Sequence, residues 1–110
     1  MSLFQRLWSR MLKRPSNPPD PLWMVEYLLN KSNDLGSRDD CAMDLHKFDL
    51  PEVEAALVTV ASDALEDEMV VDSAGHSLWQ IYKRQNRVVP AEVQSTLQPS
   101  AMKFFERLDV

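Results

Sequence analysis

Apolar residues recur at helical spacing along the chain, and the breaks between runs fall at prolines and acid-rich turns. In residues 2–14, Leu3, Phe4, Leu7, Trp8, Met11 and Leu12 form adjacent pairs every four positions, opposite Arg6 and Arg10. That pattern predicts a basic amphipathic helix. Residues 15–21 contain Pro15, Pro18, Pro19 and Pro21, which lack backbone donors and bias their predecessors to extended geometry, so this stretch reads as a semi-rigid linker. Residues 22–110 remain as one α-helical domain. Asp20 before Pro21 suits an N-cap and first turn, opening a helix from Leu22 to about Asn30 that carries Trp23, Val25, Tyr27, Leu28 and Leu29.

Ser37-Arg38-Asp39-Asp40 has the spacing of a capping box with aspartate in place of glutamate, and predicts a helix over Arg38 to Phe48 with Cys41, Ala42, Leu45 and Phe48 inward. Asp49-Leu50-Pro51 supplies a cap and an early proline for the next helix, with Val53, Ala56, Leu57, Val60 and Ala61 inward. The very short turn between these two helices predicts that they pack against each other as a hairpin. After an acidic loop at 63–67, Val70, Val71, Ala74, Leu78, Ile81 and Tyr82 mark a longer helix ending near Arg84. Gly75 costs that helix about 1 kcal/mol relative to alanine, which points to a close approach of another helix at this position. Pro90 and Pro99 open two short helices, with Val93 and Leu97 inward on one and Met102, Phe105 and Leu108 on the other. The expected fold class is all-α, with about seven helices.

Sliding the chain by 33 positions pairs Asp39 with Asp72, Cys41 with Ala74, Ala42 with Gly75, Asp44 with Ser77, Leu45 with Leu78 and Phe48 with Ile81. A period of that size is what stacked helical pairs produce. The stretches Arg38 to Leu45 and Pro51 to Leu57 resemble bacterial HEAT-like repeats, and Val71 to Leu78 looks like the first helix of the next repeat. The resemblance spans about residues 37–97 and implies a curved stack of helical hairpins whose work is protein binding. In general character, as a short acidic α-helical chain, it is also similar to the immunity proteins of bacterial toxin systems such as contact-dependent growth inhibition.

The 110 residues, 45% apolar and 26% charged, fit one small domain with little spare surface for a deep catalytic cavity. Two glycines are too few for hairpin turns and phosphate-cradling loops. Cys41 is alone, so neither a disulfide framework nor a cysteine cluster for zinc can form, and a reducing, cytoplasmic setting follows. The basic residues 1–14 contain no apolar run longer than two, unlike a secretory signal or a membrane span. A net charge of −5 conceals a strong asymmetry: residues 34–72 hold twelve acids against Arg38 and Lys47. Such a block repels phosphate backbones and steers basic proteins inward, which disfavours direct nucleic-acid binding and favours a basic protein partner.

Catalytic and metal chemistry find little support. Asp40, Asp44 and Lys47 share a helix face, but acids near a helix start offset the macrodipole and a following lysine makes an ordinary surface pair. The acids at 66–72 lack the glycine and spacing of a calcium loop. His46 and His76 have no local nucleophile, Cys41 falls on a buried stripe, and Ser73 and Ser77 lack a nucleophile elbow. The expectation is a non-enzyme with no metal or cofactor. Its partner-binding face comprises Asp39, Asp40, Asp44, Glu66, Asp67, Glu68 and Asp72, with Trp79 and Tyr82 beside Lys83 as desolvated anchors. The sharper expectation is an immunity protein that neutralises a basic toxin domain, such as a nuclease. The alternative is a peripheral membrane or assembly adaptor working through residues 1–14, which carry Trp8 and four bases. Capping of the stack by that segment is preferred over membrane contact, because the linker can reach. The oligomeric state is left open.

Overall fold

A computed structural model describes residues 20–106, in which every regular element is helical. The helices are α1 (Pro21–Leu29), α2 (Leu35–Asp44), α3 (Pro51–Ala61), α4 (Glu68–Arg84), α5 (Ala91–Gln94) and α6 (Pro99–Glu106). They correspond to six of the seven expected helices; the segment at 2–14 and the linker up to residue 19 lie outside the described residues.

Caps explain most of the boundaries. The Asp20 carboxylate accepts from the Leu22 amide at 3.0 Å, ahead of Pro21, as the sequence predicts. Helix α2 begins three residues earlier than expected, because Asp34 and not Ser37 is its cap. The Asp34 carboxylate accepts from both the amide and the hydroxyl of Ser37. It also ends earlier, at Asp44, where a 3₁₀ turn over Leu45–Lys47 tightens the chain. Asp49 is not the cap of α3: its carboxylate accepts from Arg84 and Gln85 at the far end of α4. Asp67 caps α4 through the Met69 amide at 2.9 Å. At the other end of α4, Asn86 takes the left-handed conformation with φ 54°, and the Arg87 amide reaches back to the Tyr82 carbonyl while that of Asn86 reaches Lys83. This is a Schellman closure with asparagine in the place usually taken by glycine.

The packing corrects one expectation. α2 and α3 do not form a hairpin with each other; α1 pairs with α2, and α3 pairs with α4. Tyr82 near the end of α4 bonds Glu54 near the start of α3, so the second pair is antiparallel. The reason lies in the extended residues Phe48 and Leu50, which follow the 3₁₀ turn and carry the chain across the end of α4. There the Arg84 guanidinium holds the His46 carbonyl at 2.5 Å as well as Asp49. The two helix pairs then stack, α1 on α3 and α2 on α4. The lateral bonds Ser73 to Asp39, and Ser77 to Ala42 and Met43, advance together along both helices, so α2 and α4 run parallel.

The core sits inside this two-by-two arrangement. Met24 and Leu28 from α1, Cys41, Ala42 and Leu45 from the α2 region, Val53, Leu57 and Val60 from α3, and Val70, Ala74, Leu78 and Ile81 from α4 are all buried. Of the residues matched at a spacing of 33, Cys41, Ala42, Ala74 and Gly75 are all buried, Gly75 on the side of α4 that meets α6. Helix α6 lies on the outer side of α4. A β-carbon built on Gly75 would stand 2.5 Å from the Ala101 α-carbon, so the absence of a side chain there sets how closely these helices approach. The segment before α6 returns to the end of α3, where the Gln98 amide bonds the Ala61 carbonyl at 2.9 Å.

Candidate functional site

The expected acidic face separates into three environments. Glu66 is not on the surface: its carboxylate accepts from both terminal nitrogens of Arg38, at 3.1 and 2.5 Å, and each of the two side chains is 4% exposed. Burial pushes its pKa up, and the bonds from Arg38 and the Asp67 amide more than offset this, leaving it lowered. Tyr82 is likewise enclosed in the core, where its hydroxyl donates to Glu54 at 2.6 Å. The sequence puts Tyr82 with Trp79 on a flank beside Lys83 as an interface anchor, but the antiparallel pairing of α3 turns the Tyr82 side of α4 inward. Glu66 and Tyr82 are therefore removed from the partner-binding set.

A second group is engaged by α6. Lys103 pairs with Asp72, and Ser100 donates to Glu68 at 2.9 Å. The Phe104 ring stacks on His76 with centroids 4.9 Å apart, and His76 in turn stacks on Trp79 at 5.8 Å. Lys83 lies over the Trp79 ring at 4.9 Å. Trp79 is thus half-buried in an aromatic row that α6 completes. A recess of ≈ 390 Å³ beside α6 is lined by Asp63, Glu66, Glu68, Gln98 and Ser100 among others. Asp63 there is bound to Lys31, and Glu66 and Glu68 to Arg38 and Ser100, so its carboxylates already have internal partners.

The third group is Asp39, Asp40 and Asp44, half-buried along the outward side of α2, with Asp67 exposed at the start of α4. Asp39 accepts from the Ser73 hydroxyl at 2.6 Å. Its pKa is raised, by burial and then by the charges of Asp40, Asp72 and Asp67, which outweigh that bond. The Asp44 pKa is raised too, by burial first, with Asp40 adding to it against the pull of Lys47. Asp49 and Asp63 behave oppositely: hydrogen bonds from Arg84 and from Lys31 hold their pKa values down. In Glu54, burial raises and the bonds from Tyr82 and Arg87 lower, with a net fall. The ion pairs among the described residues involve Asp49, Glu54, Asp63, Glu66 and Asp72, but neither Asp39 nor Asp44.

Leu35, Met43 and Met69 stand beside these carboxylates and are 39%, 50% and 46% exposed. The sequence reading passed over all three. The signal was present in the spacing of Leu35, Asp39 and Met43, four apart on one helix line. No group of three or more histidine, cysteine, aspartate or glutamate side chains among the described residues is placed to hold a metal. Burial pushes the Cys41 thiol far up, so it stays protonated inside the core. Among the described residues no helix is long and apolar enough to cross a membrane. No known protein family, curated protein or solved structure matches the chain.

Proposed function

We propose that this protein is a binding module that takes a basic protein partner on the α2 face bearing Asp39, Asp40 and Asp44, and that its stacked helix pairs are HEAT-like repeats. In its sharper form the proposal is an immunity protein that covers the working surface of a basic toxin domain, a nuclease being the natural target. One observation carries this reading: Asp39, Asp40 and Asp44 line the outward side of α2, and Asp39 and Asp44 enter none of the ion pairs that hold Asp49, Glu54, Asp63, Glu66 and Asp72. Half-burial of the Asp39 and Asp44 carboxylates costs the free protein stability, and a partner's lysine or arginine relieves that cost on binding. Non-enzymatic action is part of the proposal.

The test compares the natural chain with D39K/D44K as bait in lysate of the source organism, washed at low and then high salt. The expected result is a basic protein held by the natural chain, released by salt and not held by the variant, with the variant melting no lower than the natural chain. Equal capture by both, or loss of capture together with a collapsed melting temperature, would sink the reading.

A further inference from the structure

Resting on that reading, we infer that the segment received by the α2 face is an amphipathic helix with basic residues flanking an apolar stripe. The Asp39 to Ser73 bond sets a register in which residues of α2 neighbour residues of α4 that lie 34 further along. In that register Leu35 stands beside Met69 at one end of the face, and Met43 stands near Ser77 at the other. Leu35 and Met43 are eight residues apart, about 12 Å along the axis, which two to three turns of a docked helix cover. The methionine side chains are flexible and polarizable, so they accept apolar side chains of varied shape. Asp39 lies between the apolar ends, and Asp40 and Asp44 lie to one side, so charge is offered in the middle and along an edge.

The ligand's own backbone decides between a helix and an extended strand. Both elements of the face are helices whose backbone groups are satisfied internally, so an extended segment laid across them finds no ladder of donors and acceptors. A helix brings its backbone bonds with it and presents only side chains. Its ridge of side chains packs against the exposed Leu35, Met43 and Met69 of α2 and α4, as helices pack on one another.

The full chain is titrated by fluorescence anisotropy with two labelled peptides of about four turns and equal charge. In one, leucines and lysines are placed as an amphipathic helix; in the other, the same residues are shuffled to break the stripe. The helical peptide is expected to bind at least about tenfold more tightly. Its binding should move the methyl NMR signals of Met43 and Met69 while leaving that of buried Met24 in place. M43S/M69S should abolish the preference for the helical peptide without changing the melting temperature, and D39N/D44N should weaken both peptides. Equal binding of the two peptides, or methyl shifts confined to other methionines, overturns the helix inference and leaves the acidic face standing. Binding of both that D39N/D44N does not weaken, or binding of neither, overturns the acidic-face reading along with it.

Discussion

Arg38 and Glu66, 28 residues apart in the chain, meet in a two-pronged ion pair sealed from solvent, and the Arg38 Nε donates its remaining bond to the Leu28 carbonyl at 2.9 Å. One guanidinium thereby ties the end of α1, the start of α2 and the loop before α4. Its planar fork suits this task, since it satisfies a carboxylate in two places and a carbonyl in a third.

Removing either partner leaves the other buried and unpaired. We expect E66Q and R38M each to lower the unfolding free energy by about 3–5 kcal/mol in urea titrations. The R38M/E66L double variant should recover much of that loss, because both buried charges are gone together. The pH dependence follows from the lowered Glu66 pKa. Its stabilising contribution is complete above the ordinary value of 4.5 and is lost as pH falls through the folded value. E66Q should therefore remove part of the low-pH decline in melting temperature, and an unchanged acid limb would contradict this account.

Asp39 and Asp44 work in the opposite sense. Their raised folded values mean that the native state binds protons more tightly than the unfolded chain, so stability rises as pH falls through the folded values toward the ordinary 3.8. At neutral pH their charges oppose folding. D39N/D44N should melt higher than the natural chain at pH 7, with the gain shrinking as pH approaches 3.8. The asparagine at 39 still accepts from Ser73 through its amide oxygen, so that contact survives. A double variant that melts lower at pH 7 would show that these acids are structural.

Much of the fold is legible in local chemistry. The Asp20-Pro21 start of α1, the inward stripe of α3 and the meaning of Gly75 follow from capping, periodicity and the cost of glycine in a helix. What local chemistry does not fix is which helices pair. Two helices joined by a short turn suggest a hairpin, yet three residues, one extended on each side of Asp49, suffice to send α3 to the other side of the core. The candidate site was half legible for the same reason. Charge counting along the chain finds the acid-rich stretch, but it cannot tell Glu66, which finds Arg38 within that same stretch, from Asp44, which is half-buried and enters no ion pair. Nor does it foresee that α6 brings Lys103 onto Asp72.

The closeness of α4 and α6 makes Gly75 a sensitive position. Alanine there gains about 1 kcal/mol of helix propensity, but its methyl group would lie 2.5 Å from backbone of α6, which has no rotamer by which to retreat. We expect G75A to destabilise the protein by about 1–3 kcal/mol net, as overpacking does. A101G should not rescue it, because the Ala101 α-carbon stays in place. Hydrogen exchange should show α6 opening more readily in G75A while α2 keeps its protection. A stabilised G75A would mean that α6 is free to move outward.

Tyr82 and Glu54 form the corresponding tie at the other end of the α3 and α4 pair. Burial and the adjacent Glu54 push the phenol pKa well above its ordinary value, so the hydroxyl remains a neutral donor throughout the working range. Arg87 bonds the second Glu54 oxygen at 2.5 Å and lies 4.6 Å from the Tyr82 ring centre, placed there by the left-handed turn at Asn86. Y82F keeps the ring and removes only the bond to the carboxylate. It should cost about 1.5–3 kcal/mol, the range for a hydrogen bond to a charged group. Burial raises the Glu54 pKa and the bonds from Tyr82 and Arg87 lower it, so losing one of those bonds should move the Glu54 titration upward in a carboxyl NMR experiment. If the Glu54 titration stays where it is in Y82F, the Arg87 guanidinium alone sets it, and the tie between these helices is ionic.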